Sequence, residues 1–98
     1  MAAAPALFYR GSAATSSATL YTAPSNAVLT DVVVSNTSSD QQYVTITIDG
    51  VNIVPTVPVS AKSVINFQFK TYIPDGDVVA GYASSTDVKL HLSGVEIA

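Results

Sequence analysis

Apolar and polar residues alternate along much of this chain, with the two-residue period that is typical of β-strands. The alternation is clearest in residues 42–49, 62–70 and 88–93, where every second residue is apolar. The apolar faces of these segments hold Val44, Ile46, Ile48, Ile65, Phe67, Phe69, Val88, Leu90 and Leu92. Each segment therefore predicts a strand with one buried face, and Gly94 predicts a β-bulge in the last one.

Turn-forming residues divide the chain into about eight short strands. Asp49-Gly50 predicts a tight hairpin because glycine accepts a positive φ, whereas Pro55 and Pro58 predict an edge strand or a crossover loop. The predicted strands cover residues 7–10, 18–22, 27–36, 42–49, 51–54, 62–70, 78–84 and 88–97. This spacing predicts an all-β fold, a single β-sandwich or jelly-roll-like domain over residues 18–98.

Residues 1–17 are rich in alanine and serine and predict an N-terminal arm outside that domain. Within the arm, Leu7-Phe8-Tyr9-Arg10 predicts one short strand. Left unpaired, its three large apolar side chains would form an exposed patch. They either complete a sheet edge within the chain or anchor on a partner, and both hold if the arm adds a strand to a neighbouring subunit. Leu7, Phe8, Tyr9 and Arg10 are therefore the predicted partner-binding residues.

Composition supports the all-β prediction and describes the surface. Valine and isoleucine together number 20, against 5 leucines, and β-branched residues suit a pleated sheet. Charged residues make up 11% of the chain and hydrophobic residues 48%, whereas about 25% charged residues is usual. A surface rich in serine and threonine but poor in charge costs little to desolvate. This favours a protein that works docked in an assembly.

Charge and the lengths of apolar runs exclude several partners. The net charge is −3, and the cations Arg10, Lys62, Lys70 and Lys89 are scattered along the chain. Binding to phosphate backbones requires a basic stripe, so the sequence predicts no nucleic-acid partner. No apolar run approaches the roughly 20 residues of a membrane helix, and we expect neither a membrane partner nor a secretory signal. There is no cysteine, so disulfides and thiolate metal sites are excluded.

No combination of residues in the sequence predicts catalysis. His91 is the only histidine and lies on the polar face of a predicted strand. A hydrolase triad would place it beside a serine and an acid, but the nearby Ser93 lies in Leu92-Ser93-Gly94-Val95, which is not a nucleophile elbow. The sequence therefore predicts that the protein is not an enzyme and binds no cofactor.

Three further features have both a binding and a structural interpretation. Asp75-Gly76-Asp77 would offer carboxylates to calcium if Asp87 or Glu96 approached, but it lacks the other ligands of an EF-hand loop and is interpreted as a polar turn. Asn36-Thr37-Ser38 matches a glycosylation sequon and is likewise interpreted as a turn. The five tyrosines suggest sugar binding, although they are spread through the chain and tyrosine is common in strands. They are Tyr9, Tyr21, Tyr43, Tyr72 and Tyr82.

Four runs of the sequence resemble small structural proteins of tailed bacteriophages. They are Ala18-Thr19-Leu20-Tyr21-Thr22-Ala23-Pro24, Leu29-Thr30-Asp31-Val32-Val33-Val34-Ser35-Asn36-Thr37, Ile73-Pro74-Asp75-Gly76-Asp77 and Leu92-Ser93-Gly94-Val95-Glu96-Ile97. The similarity spans about residues 18–97, and the matching motifs are mainly turns.

The resemblance is strongest to capsid decoration (cement) proteins. It implies a homo-oligomer, often a trimer, that lies on the outer surface of the virion capsid and bridges subunits of the major capsid protein. Tail and fibre proteins share such sandwich modules. The alternative is therefore a tail or fibre-associated module that binds a host surface glycan.

Overall fold

The computed structural model describes residues 3–97 and contains eight strands. The strands are β1 (Ala3–Ser12), β2 (Ala18–Thr22), β3 (Asn26–Asn36), β4 (Gln42–Ile48), β5 (Val51–Val59), β6 (Val64–Ile73), β7 (Val78–Ala83) and β8 (Val88–Ile97). They form two antiparallel sheets of four strands each. The prediction of an all-β, sandwich-like fold is confirmed.

The strand order arises because the first half of the chain folds back and pairs antiparallel with the second half. Sheet A has the order β1-β8-β3-β6 and sheet B the order β2-β7-β4-β5. The pairs β1–β8, β2–β7, β3–β6 and β4–β5 are those of one long hairpin, and pairing of β3 with β8 and of β4 with β7 wraps that hairpin into two layers. This is the arrangement of an eight-stranded jelly roll.

The core consists of the inward side chains of both sheets, and most of them are β-branched or leucine. In β8 the buried positions alternate with more exposed ones, as the sequence pattern predicted, and β3 alternates in the same way except at Thr30 and Asp31. In β4 the predicted alternation is interrupted, because Thr45 is buried as well as Val44 and Ile46. The largest fully buried side chains are Leu29, Ile46, Ile73, Leu90, Leu92 and the seven valines Val32, Val34, Val44, Val54, Val59, Val79 and Val88. Their burial is the main force that holds the two sheets together.

The N-terminal segment differs from the prediction of an arm. β1 extends over Ala3–Ser12 rather than Leu7–Arg10, and it pairs with β8 along its whole length as an edge strand of sheet A. The linker after it is also tied down, because Ala13 N–H donates to Val88 O at 2.8 Å and Ala83 N–H donates to Ala14 O at 2.8 Å. Residues 3–14 are therefore part of the sandwich. Met1 and Ala2 of the predicted arm lie outside the described residues.

Two turn predictions are resolved by the backbone. Asp49 and Gly50 have φ values of 50° and 81°, and they connect β4 to β5 as the predicted tight hairpin. Pro55 and Pro58 lie within β5, which pairs only with β4. They therefore belong to an edge strand, one of the two predicted alternatives.

The irregularity near Gly94 lies on the neighbouring strands rather than in β8. The register of β1 against β8 shifts between Leu7 and Tyr9, and that of β3 against β8 shifts between Leu29 and Asp31. Each shift inserts one extra residue opposite β8, and these residues are Phe8 and Thr30. The predicted bulge is thus present at this level of the sheet, but β8 itself is regular.

Candidate functional site

The four predicted partner-binding residues lie on β1 and are divided between the surface and the core. The side chain of Leu7 is 49% exposed on the outer face of sheet A, and Arg10 is exposed opposite His91. Tyr9 is half-buried, and its hydroxyl donates to Ser12 O at 2.7 Å. Phe8 is only 6% exposed. Leu7 and Arg10 can therefore reach a partner, whereas Phe8 is a core residue.

Phe8 closes the side of the sandwich where β1 and β2 are neighbours. Its ring stacks on that of Tyr21, with the ring centroids 4.0 Å apart and the ring planes 11° from parallel. The Tyr21 hydroxyl donates to Glu96 Oε2 at 2.6 Å. Burial, together with the hydrogen bond and the negative charge of Glu96, raises the pKa of Tyr21 well above its usual range. This cluster joins the edge strands of the two sheets to β8.

The outer face of sheet A carries charged residues and the candidate catalytic histidine. Arg10, Asp31, His91 and Ser93 line a shallow depression of about 510 Å³. None of the hydrogen bonds within residues 3–97 joins His91 to Ser93 or Asp31, and Ser93 instead accepts through its backbone carbonyl from Thr30 Oγ1 at 3.3 Å. The arrangement lacks the linked nucleophile, base and acid that a triad requires.

The outer face of sheet B has a different character. Its four strands, β2, β4, β5 and β7, contain no Asp, Glu, Lys, Arg or His. Cross-strand pairing aligns Thr19, Ala80 and Thr47 in one row. In the next row Thr45 pairs with Tyr82, and Thr45 Oγ1 lies 3.0 Å from Thr56 Oγ1. We call this surface the uncharged face; its principal accessible members are Thr19, Tyr43, Thr47, Thr56, Ala80 and Tyr82, whereas Thr45 is only 4% exposed.

Two exposed tyrosines lie at one end of the uncharged face. Tyr43 is 43% exposed and Tyr82 is 36% exposed. Since Thr45 is paired with Tyr82, Tyr43 occupies the diagonal position on the adjacent strand. The Tyr43 hydroxyl accepts from Gln41 Nε2 at 3.1 Å. The two phenol groups thus provide aromatic surface and hydroxyl groups within one uncharged area.

Sequence reasoning missed the uncharged face. The relevant signal was present, because the ranges 18–22, 42–48, 51–59 and 78–83 all lack charge. Each range alone looks like an ordinary strand. Only the pairing of β2 with β7, and of β4 with both β7 and β5, brings the four together in one sheet.

Asp75-Gly76-Asp77, interpreted from the sequence as a polar turn, lies far from Asp87, one of the two further carboxylates that calcium binding would have needed. Asp75 and Asp77 lie in the β6–β7 loop, where Asp77 O accepts from Ala23 N–H. Asp87 lies in the β7–β8 loop at the opposite end of the sandwich, where its carbonyl accepts from Thr37. Within residues 3–97, no group of three or more His, Cys, Asp or Glu side chains is placed to hold a metal ion.

Asn36 of the sequon-like motif is buried, and both the nitrogen and the oxygen of its side-chain amide form hydrogen bonds. Its Nδ2 donates to Asp40 O at 2.8 Å and to Val59 O at 3.0 Å. Its Oδ1 accepts from Ser38 N–H at 2.9 Å. The side chain is 2% exposed, so it organises the turn after β3, as the sequence interpretation proposed, and offers no free amide to a glycan.

Comparison of the chain with protein-family models, with curated proteins and with solved structures gave no match. Among residues 3–97 the structure has no helix long and apolar enough to cross a membrane.

Proposed function

We propose that this chain is a structural protein of a phage virion, a capsid decoration protein that binds the outer capsid surface and bridges subunits of the major capsid protein. The observation that carries the proposal is the uncharged face. Jelly rolls occur in capsid proteins and in lectins, so the fold alone does not choose a function. The chemistry of the exposed surfaces supports attachment to other proteins.

The uncharged face can be covered at low cost. Burying a charged group costs several kcal/mol unless it is paired, whereas hydroxyl and aromatic groups need only one or two hydrogen bonds. The face offers threonine hydroxyls and tyrosines over four strands without a charge to desolvate. Such a surface favours a partner that is also largely uncharged at the contact.

The size of the face argues for more than one contact. Four strands spaced about 4.8 Å apart, each about seven residues long at about 3.3 Å per residue, cover roughly 440 Å². A standard interface buries about 800 Å² on each partner. A second contact is therefore needed, and Leu7 and Arg10, exposed on β1 of the other sheet, provide one. Two contacts on different sheets suit a protein that bridges two shell subunits.

The test is cosedimentation with capsids of the encoding phage from which this protein has been removed. Thr47→Lys places a charge in the middle of the uncharged face, and we expect it to weaken binding at least about tenfold, because the ammonium group must be desolvated. Thr86→Lys, in the exposed β7–β8 loop, is the matched control and should bind like the wild type. The proposal is overturned if the wild type does not cosediment, or if folded Thr47→Lys binds as well as Thr86→Lys.

The position of Tyr43 and Tyr82 favours a second candidate, a tail or fibre module that binds a host surface glycan. Aromatic rings stack on the apolar faces of sugars, and the neighbouring Gln42 and Ser84, joined by a 2.6 Å hydrogen bond, supply polar groups. A glycan array with the wild type, Tyr82→Ala and Tyr72→Ala tests it. Binding that is lost in Tyr82→Ala and kept in Tyr72→Ala, on the outer face of the other sheet, would support this function over capsid decoration.

A further inference from the structure

Within residues 3–97, one of the four sheet edges is long and contains no proline. Edge strands expose unpaired N–H and C=O groups, and proteins commonly block them with proline, bulges or short length. β1 carries Pro5 and a bulge, β2 has five residues, and β5 carries Pro55 and Pro58. β6, Val64–Ile73, has ten residues and no proline, and its only charged residue is Lys70. β6 also carries a bulge, one extra residue opposite Thr30 of β3, but each of its residues keeps a backbone N–H that can pair with another strand.

The sandwich is also open along β6. The inward side chains Ile65, Phe67 and Phe69 pack against the core but remain partly exposed, and so do Ile53 and Val57 on β5, the corresponding edge of the other sheet. The rings of Phe67 and Phe69 are stacked with their centroids 6.2 Å apart. The opposite side of the sandwich is closed by Phe8 and Tyr21. An apolar seam thus runs beside the proline-free edge.

We propose that β6 pairs antiparallel with β6 of a second copy of this chain, across a twofold axis at Gln68. In this register Gln68 lies opposite itself and Phe67 lies opposite Phe69. Directly opposed residues share a face, so the phenylalanines of both copies meet over the seam. Lys70 lies opposite Asn66, and no like charges are opposed.

The protection of the other edges argues for a second copy in this symmetric arrangement. Head-to-tail assembly would require β6 to pair with a different edge of the next copy, and those edges are short or carry proline. A twofold interface requires only β6. The assembly is then a dimer, whereas the phage resemblance implies a trimer.

The dimer is expected to depend on concentration. Nine paired residues span about 30 Å, and with the phenylalanine contacts the interface falls at the low end of specific interfaces, below about 1,200 Å² in total. Interfaces of this size are typical of weak or transient association. The proposal does not depend on attachment to a capsid.

Sedimentation velocity of the full chain over a range of concentrations tests the proposal. Gln68 is exposed, so Gln68→Lys leaves the monomer folded but opposes two lysines at the axis. We expect the wild type to form a dimer and Gln68→Lys to weaken it at least about tenfold. Gln41→Lys, in an exposed loop, is the matched control and should dimerise like the wild type.

A charge exchange tests the register itself. Gln68→Glu also opposes like charges in its own dimer, but an equimolar mixture of Gln68→Lys and Gln68→Glu should form a heterodimer because opposite charges then meet at the axis. Recovery in the mixture supports the proposal. A wild type that stays monomeric, including one whose β6 accepts a strand of another protein, overturns it. So does a wild-type trimer, or a dimer indifferent to Gln68→Lys. Capsid cosedimentation of Gln68→Lys is measured separately, so that a failure of dimerisation is distinguished from a failure of the proposed capsid binding.

Discussion

The ring of Phe8 lies directly over Gly94, so closely that a Cβ atom at residue 94 would be 2.8 Å from Phe8 Cζ. The same Cβ would be 2.1 Å from the carbonyl oxygen of Val28 on β3. Gly94 lies where both neighbouring strands carry their extra residues, Phe8 on β1 and Thr30 on β3. The absence of a side chain at this position therefore lets Phe8 turn into the core and stack on Tyr21.

Gly94→Ala is expected to destabilise the protein by about 3 kcal/mol, the upper range for overpacking a core. The Phe8 ring has some freedom to move, but the Val28 carbonyl belongs to a central strand and cannot move without breaking its pairing. Urea denaturation of the wild type and the variant measures the change in the free energy of unfolding.

Gly50→Ala is the control for that experiment. Gly50 has no atom within 4 Å of an added Cβ, but its φ of 81° is unfavourable for alanine. We expect a loss of about 1 kcal/mol from backbone strain alone. A loss at Gly94→Ala no larger than that at Gly50→Ala would contradict the steric explanation.

The parts of the fold that could be predicted from sequence are those with local signals. Alternation in β4, β6 and β8 and the Asp49-Gly50 turn identify strands and a hairpin because neighbours along the chain carry the information. β1 shows no such alternation: only Leu7–Arg10 was predicted as a strand, and the residues on either side of it are alanine, proline, glycine and serine. Its place in sheet A depends on pairing with β8 at the other end of the chain, which no local pattern reveals.

Less of the candidate site than of the fold could be predicted from the sequence. The exposed Leu7 and the buried Phe8 are adjacent in sequence and equally apolar. Adjacent residues of a strand point to opposite faces, and the pairing of β1 with β8 decides that Phe8 is the one facing the core. Tyr43 and Tyr82 are distant in sequence and become neighbours only through the pairing of β4 with β7. In both cases the decisive fact is which strands are adjacent, and that is a property of the whole chain.

Truncations of Phe8 and Leu7 should change stability by very different amounts. Phe8→Ala removes the ring that stacks on Tyr21, and we expect a loss of about 3–5 kcal/mol, as for other buried phenylalanines. Leu7→Ala removes a half-exposed side chain and should change stability by about 0.5 kcal/mol or less. Thermal and urea denaturation measure both effects.

Because Phe8 is buried, a capsid contact through β1 has to be tested by substitution and not by deletion. Deletion of residues 1–10 would remove Phe8 and uncover the edge of β8, and we expect it to unfold the domain. Leu7→Ala combined with Arg10→Ala should instead weaken capsid binding in a folded protein. Unchanged binding of that double variant would limit the contact to other surfaces.

Asn36 should be intolerant of substitution because its amide holds two loops together. It bonds Asp40 O in its own turn and Val59 O at the end of β5. Asn36→Ala removes the side-chain donor from the buried carbonyl group of Val59 and breaks the link between the two loops, at an expected loss of about 2–3 kcal/mol. Asn36→Asp keeps the shape but places carboxylate oxygens against those carbonyls, and we expect a loss at least as large. If urea denaturation at neutral pH showed that Asn36→Asp leaves the free energy of unfolding unchanged, the hydrogen-bond assignment would be contradicted.

Tyr21 should make the protein sensitive to alkali. Burial and Glu96 raise its pKa well above the usual value, whereas in the unfolded chain the phenol of Tyr21 ionises with a pKa of about 10. Above that pH the folded state holds a proton that the unfolded state has lost, so the free energy of unfolding falls as pH rises, by up to about 1.4 kcal/mol per pH unit. Below it, this group makes stability neither rise nor fall with pH.

Tyr21→Phe isolates that contribution, because every other titrating group is shared with the wild type. The variant loses the 2.6 Å hydrogen bond to Glu96, so near neutral pH it should be less stable by about 1 kcal/mol. Urea denaturation from about pH 8 to about pH 11 should then show this difference shrinking above about pH 10, since only the wild type carries the alkaline penalty of Tyr21. Two stability curves that remain parallel over that range would mean that Tyr21 ionises equally in the folded and unfolded chains.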